Sequence, residues 1–170
     1  ASLCASGQKV NTGANGGAIS FAFLDEGMDL VTDKDGQVDY ITMPARTLRS
    51  YKALLRALGG ASVNEVVELP SGAEVPAYSG VPIFRNDYIP TNQTKGTSSG
   101  VCTTVFFGTL DDGSRTHGIA GLTASQAAGI QVVPVGEKED ADEFIWRVKW
   151  YCGLALFSEK GLAAAEGITN

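Results

Sequence analysis

Apolar and polar positions alternate more regularly along residues 143–157 than anywhere else in the chain. Phe144, Trp146, Val148, Trp150, Cys152, Leu154 and Leu156 form one set, and Ile145, Arg147, Lys149, Tyr151, Gly153, Ala155 and Phe157 the other. The first set is uniformly apolar, while the second begins charged and becomes small and apolar. A period of two sustained this far predicts a β-strand with one buried face. Trp146 and Trp150 are then core anchors, or they sit at an interface, where aromatic residues are enriched. At ~3.3 Å per residue such a strand spans roughly 45 Å, more than twice the usual length. That suits an elongated, sheet-built limb better than a compact catalytic domain.

Nearer the start the period lengthens. From Ser20, the residues Phe21, Phe23, Leu24, Met28, Leu30 and Val31 share one helix face, with Ser20 as N-cap and Asp25 and Glu26 near the positive end. Gly27 weakens this helix. The run Asp33-Lys34-Asp35-Gly36 predicts a turn, followed by a strand over 38–43. Pro44 suits the first turn of a helix over 45–58, which Gly59-Gly60 ends. Leu48, Tyr51, Leu54, Leu55 and Leu58 form its apolar stripe, while Arg46, Arg49, Lys52 and Arg56 line another face in a segment without acidic residues.

The later pattern predicts strands over 63–69, 75–78, 81–85, 101–108 and 130–135. Residues 90–100 read as a loop, and Asp111-Asp112-Gly113-Ser114 as a tight turn. Residues 1–18, rich in Gly, Ser, Asn, Ala and Thr, read as a flexible lead-in with almost nothing to bury. The fold class expected is α+β, with two or three helices against mixed, mainly antiparallel sheets.

Composition narrows the function. The 170 residues are 44% hydrophobic and 19% charged, which predicts a folded body of one ordinary or two small domains. Thirteen basic and 19 acidic side chains give a formal charge of −6, which argues against a nucleic-acid-binding module. No apolar run reaches the ~20 residues of a membrane helix. Ala1-Ser2-Leu3-Cys4 does not read as a secretion signal. Three widely spaced cysteines do not suggest a disulfide framework and fit a reducing compartment of synthesis. Cys102 and Cys152 lie in apolar runs and are expected to be buried; Cys4, in a polar stretch, is expected to be exposed.

Candidate chemistry adds little. If Gly36 were the sixth position of a calcium loop, Val31 and Thr42 would be its first and twelfth ligands, and neither can serve. His117 is the single histidine, with no nucleophile elbow beside it. The cysteines and histidine lack zinc spacing. Glu137, Glu139, Asp140, Asp142 and Glu143, interrupted by Lys138, read as a solvated bend between two strands. No glycine run forms a phosphate loop. No catalytic, metal or cofactor residue is expected, and no enzymatic activity.

Several short segments nevertheless resemble a known family. Gly13-Ala14-Asn15-Gly16-Gly17-Ala18 leading into Leu24-Asp25-Glu26 is similar to the segment after the long spine helix of tailed-bacteriophage major capsid proteins. Met43-Pro44-Ala45-Arg46-Thr47-Leu48-Arg49, Tyr78-Ser79-Gly80-Val81-Pro82-Ile83 and the stretch from Arg147 to Phe157 resemble later landmarks, in the family's order. Each is short, and together they span nearly the whole chain from Gly13.

The resemblance implies the Hong Kong 97-like fold, with residues 20–125 forming most of an axial domain and 126–170 peripheral-domain strands after the lead-in 1–19. It implies a structural subunit that assembles with copies of itself into pentameric or hexameric capsomers around DNA, with scaffold or portal proteins as further partners. Such a shell needs no cofactor, no membrane and no sequence-specific nucleic-acid binding, and would be made in the bacterial cytoplasm and found in the virion. Arg46, Arg49, Lys52, Arg56, Arg147 and Lys149 are the expected subunit-interface residues. The family's amino-terminal arm, extended loop and spine helix have no counterpart among these residues, so apolar sheet surface is expected to be uncovered. From a different class, the chain reads as a small protein-binding module using residues 90–100; a hydrolase using His117 is the weakest reading.

Overall fold

The computed structural model describes residues 4–59, 66–125 and 128–169. A 3-10 turn at Ser6–Gln8 precedes α1 (Phe21–Thr32), β1 (Tyr40–Met43), α2 (Ala45–Ala57), β2 (Val66–Glu68), β3 (Glu74–Tyr78) and β4 (Val81–Arg85). There follow β5 (Gln93–Lys95), β6 (Ser98–Gly108), β7 (Ile119–Thr123), β8 (Ile130–Lys138), β9 (Ala141–Trp150), β10 (Cys152–Leu156) and β11 (Leu162–Thr169). The class is α+β as expected: two helices, and strands that pair antiparallel except for β1 with β4.

The main sheet runs β11-β6-β1-β4-β3-β2, with β5 along part of β6. The β1–β4 pair is parallel, and a parallel pair needs a crossover between its strands; α2 lies in that crossover. Ser20 caps α1, its Oγ accepting from the Phe23 N–H at 3.4 Å. Leu24 and Val31 of α1 and Tyr51 and Leu55 of α2 pack on one face of the sheet, against Ile41, Met43, Ile83, Val105 and Phe107. The Tyr51 hydroxyl, buried in that core, donates to the Ala77 carbonyl at 2.8 Å. The opposite face is covered at one end by Cys4, Phe106, Ile119 and Leu156 around Leu162 and Ala164. At the other end it opens into an apolar groove of about 480 Å³ bounded by Tyr40, Thr42, Leu69, Pro82 and Phe84.

Several expectations are corrected. The lead-in does bury side chains: Cys4, Gln8, Val10 and Thr12 are inaccessible to solvent. Its backbone lies along β11, with Val10 N–H donating to Ala164, Gly17 N–H to Gly167, and Thr169 N–H back to Gly17. A side chain on Gly16, whose φ is +74°, would overlap the Gly167 carbonyl, so this approach needs glycine. Cys4 is therefore buried and Cys152 exposed, the reverse of expectation, whereas Cys102 is buried as expected. Residues 90–100 contain β5 and the start of β6, tied down by Thr103 Oγ1 donating to the Pro90 carbonyl at 2.9 Å. Of the strand expected over 63–69, residues 63–65 lie outside the described residues, and β2 covers 66–68, ending before Leu69.

The long strand is also different. It divides at Tyr151 into β9, paired with β8, and β10, paired with β7. Thr123 pairs with Cys152 and Ile130 with Trp150, so the two pairings meet on either side of Tyr151. Two strands are thus laid end to end against two others. The expected alternation is present in β9, but its apolar set is not buried within the chain: Trp146 and Trp150 are 61% and 63% exposed.

Candidate functional site

No helix among the described residues is long and apolar enough to cross a membrane, and no group of acidic, cysteine or histidine side chains there could hold a metal ion. His117 Nδ1 lies 3.0 Å from Thr116 Oγ1, and that hydroxyl lies 2.7 Å from Ser114 Oγ. The group sits in the bend after Asp111, whose carboxylate accepts from the Arg115 N–H. Neighbouring Asp112 is held below the usual carboxylate range by hydrogen bonds from Ser114. These contacts order a turn, in which the His117 side chain is hydrogen-bonded to Thr116.

The notable surfaces are larger. The first lies on α2. Successive residues turn by ~100° on a helix, so Arg49, Lys52 and Arg56 fall within an arc of roughly 60° beside the buried stripe of Thr47, Tyr51 and Leu55. They line a cleft of about 180 Å³ with Leu48 and Arg85. Arg46 lies outside it. Its Nη2 donates to the Val101 carbonyl at 2.7 Å, and its Nε is buried without a hydrogen-bond partner. A cation in the first turn of a helix faces the positive end of the dipole, and the Val101 carbonyl offsets that placement. The basic face read from sequence is therefore two things, a three-residue cluster and one anchored arginine.

Arg85 was not among the expected interface residues. The parallel register sets Met43 beside Arg85, and Asn86 N–H donates to the Met43 carbonyl at 2.9 Å, so the end of β4 meets the start of α2. Asp87 there accepts from Arg85 Nε at 2.7 Å and from the Ala45 N–H at 3.4 Å. It serves as the side-chain cap that Pro44 cannot supply. Its carboxyl is held below the usual range mainly by the Arg85 hydrogen bond, then by the Ala45 N–H. The strand 81–85 and its closing arginine were legible in sequence; its parallel pairing with β1 was not.

The second surface is the β8–β9 ribbon. Register places Ile130, Val132 and Pro134 opposite Trp150, Val148 and Trp146, so all six share one face. All but Pro134 are among the large exposed apolar residues of the chain, with Phe144. Arg147 and Lys149 lie on the other face, opposite Val133 and Gln131. The ribbon ends in an acidic bend where, within 137–143, five carboxylates accompany Lys138. Lys138 pairs with Glu143 at 3.6 Å. A free two-stranded ribbon is marginal in water, and a contiguous apolar face on one marks a contact surface. The sequence-derived interface residues thus fall into three separate places: the α2 cluster, the Val101 anchor and the polar face of the ribbon.

No protein-family model matches the chain, and a search of curated proteins finds no match. Among solved structures, the chain is similar to the holo-SrpI encapsulin complex from Synechococcus elongatus PCC 7942, with a TM-score of 0.74 at 19% sequence identity. The match covers 98% of this chain and 55% of that one, so this chain spans little more than half the length of its structural neighbour. At this identity the likeness shows the fold, which is the Hong Kong 97-like one.

Proposed function

We propose that this chain is a structural subunit of a closed protein shell, assembling with copies of itself, and that the shell is the head of a tailed phage or prophage enclosing DNA. One observation carries the reading: a chain of Hong Kong 97-like fold presents a two-tryptophan apolar ribbon face that its own described residues leave in water. Apolar surface of this kind is covered in a working assembly, by other copies or by further polypeptide. The family landmarks from Gly13 to Phe157 favour a phage head over other shells. A charge of −6 suits a container that encloses DNA without binding it, since binding would need excess Lys and Arg. The assignment includes no catalysis and no cofactor, and the partners are other copies in five- or sixfold capsomers, with scaffold or portal proteins beside them.

The likeness to an encapsulin favours a second reading, a shell of that kind and not a virion. Producing the complete gene product and examining it by sedimentation and electron microscopy tests the shared part. Closed particles of uniform size are expected, and a product that remains monomeric under all assembly conditions would overturn it. Genes for a portal, a maturation protease and a terminase beside this one are expected for a phage head; their absence favours the second reading.

A further inference from the structure

We propose that the cleft on α2 receives the acidic β8–β9 bend of a second copy of this chain, a head-to-tail contact between unlike surfaces. The proposal rests on the shell reading above and names the contact that would help to close it. Arg49, Lys52 and Arg56 are exposed and make no ion pair or side-chain hydrogen bond among the described residues. Three cations crowded within one arc of a helix repel one another, and no acidic residue of α2 relieves them.

The bend has the opposite excess. Its Lys138 is engaged by Glu143, which leaves Glu137, Glu139, Asp140 and Asp142 without an ion pair among the described residues. All four are exposed at the end of a ribbon whose strands pair only with each other. The two sets are not ion-paired to each other within the chain. One is an exposed cluster of positive charge lining a cleft and the other an exposed cluster of negative charge at the end of a ribbon, and neither is neutralised by ion pairs among the described residues. Such complementarity sets partner orientation and register more than raw affinity. A cleft on one copy that takes the bend of the next is a heterologous contact, which propagates into a ring if the rotation closes, whereas a twofold dimer would need one self-complementary patch.

A charge-exchange experiment on the complete gene product tests this. Arg49→Glu with Lys52→Glu reverses the cleft; Glu139→Lys with Asp140→Lys reverses the bend. Each pair should raise the protein concentration needed for assembly by at least about tenfold, as expected when like charges face each other across a contact. The fourfold variant should recover most of the loss, and salt should weaken assembly of the parent and the fourfold variant alike. Melting temperatures of the isolated variants, expected to stay near that of the parent, separate lost contacts from lost folding. Parent-like assembly of either reversed pair, or no recovery in a fourfold variant that melts like the parent, overturns the contact while leaving the shell reading intact.

A second measurement does not depend on charge reversal. With Cys152→Ser as background, Lys52→Cys chains mixed with Asp140→Cys chains should form an interchain disulfide on mild oxidation. Neither should do so alone. Failure of the mixture to cross-link within assembled particles also overturns the contact, and a parent that never assembles removes the premise itself.

Discussion

Gly27, in the middle of α1, lies so close to Phe107 of β6 that a side chain there would overlap the ring. From sequence alone Gly27 only weakens the helix, and exchanging it for alanine should gain up to ~1 kcal/mol of helix propensity. The contact reverses the sign. Phe107 is fully buried between the sheet and the helices, packed in the main core. Forcing extra volume into such a site costs ~1–3 kcal/mol. Gly27→Ala is therefore expected to destabilise the chain, by up to about 2 kcal/mol once the ~1 kcal/mol of helix propensity is subtracted from the cost of overpacking. Denaturant unfolding measures this directly, and an unchanged or raised midpoint would show that the ring yields.

Trp150 and Phe107 make an opposite pair, although both are large aromatics in strands. Phe107→Ala should remove ~3–5 kcal/mol, a large share of the ~5–15 kcal/mol that holds a domain of this kind folded. Trp150→Ala should cost no more than ~1 kcal/mol in the isolated chain, because the indole is already mostly in water. In an assembly that covers the ribbon, the same substitution should reduce particle yield. Trp146 and Trp150 are the only tryptophans, so fluorescence reports on the ribbon alone. Emission characteristic of water-exposed indole is expected from the isolated chain, with a shift to shorter wavelength on assembly; no shift would leave the apolar face uncovered.

The three thiols should differ in reactivity. Cys152 is exposed, whereas Cys102 is buried in β6 and Cys4 is buried against Leu162 and Ala164 of β11. Burial, and then the charge of Glu166, pushes the Cys4 thiol above its usual pKa, which lowers its thiolate fraction further. One cysteine should label rapidly in the native chain and the other two only on unfolding, as peptide mass analysis would show. Rapid labelling of Cys4 would mean that the first residues are not packed as described.

Asp87 links the start of α2 to pH. Its carboxyl is depressed in the folded chain, first by Arg85, so the stabilisation it provides is complete above the unfolded carboxylate range and is lost as pH falls through the folded value. Acidification below about pH 4 should therefore loosen the first turn of α2 before the core melts. Hydrogen exchange at Ala45, corrected for its intrinsic pH dependence, should accelerate there in the parent. Asp87→Asn should exchange faster than the parent at neutral pH and lose the acid step. An acid step of equal size in both would assign the loosening to other carboxylates.

Local chemistry was enough to specify both helices, most strand positions and the acidic bend. Ser20 caps α1 because its side chain meets an N–H three residues on, and Arg49, Lys52 and Arg56 cluster because helical spacing puts them there. Alternation likewise identified the apolar set of β9 as one face of a strand. What alternation cannot specify is whether a shared face is covered, since burial depends on what else packs there. The exposure of Trp146 and Trp150 was decided by the fold.

Tertiary contacts also decided β11. Leu162-Ala163-Ala164-Ala165 has high helix propensity, and the hydrophobic pattern alone did not mark the segment as a strand. Pairing along β6 and burial on both faces override that preference, and the small alanine side chains leave room for the core on one face and for the residues around Cys4 on the other. The packing of residues 4–18 has the same origin. Their glycines and polar side chains bury little apolar area, but β11 supplies an edge for their backbone, an interaction that side-chain patterns do not encode. The cleft needed both levels: the sequence determined the three cations of α2, and only the parallel pairing of β1 with β4 brought Arg85 and Asp87 to the helix start.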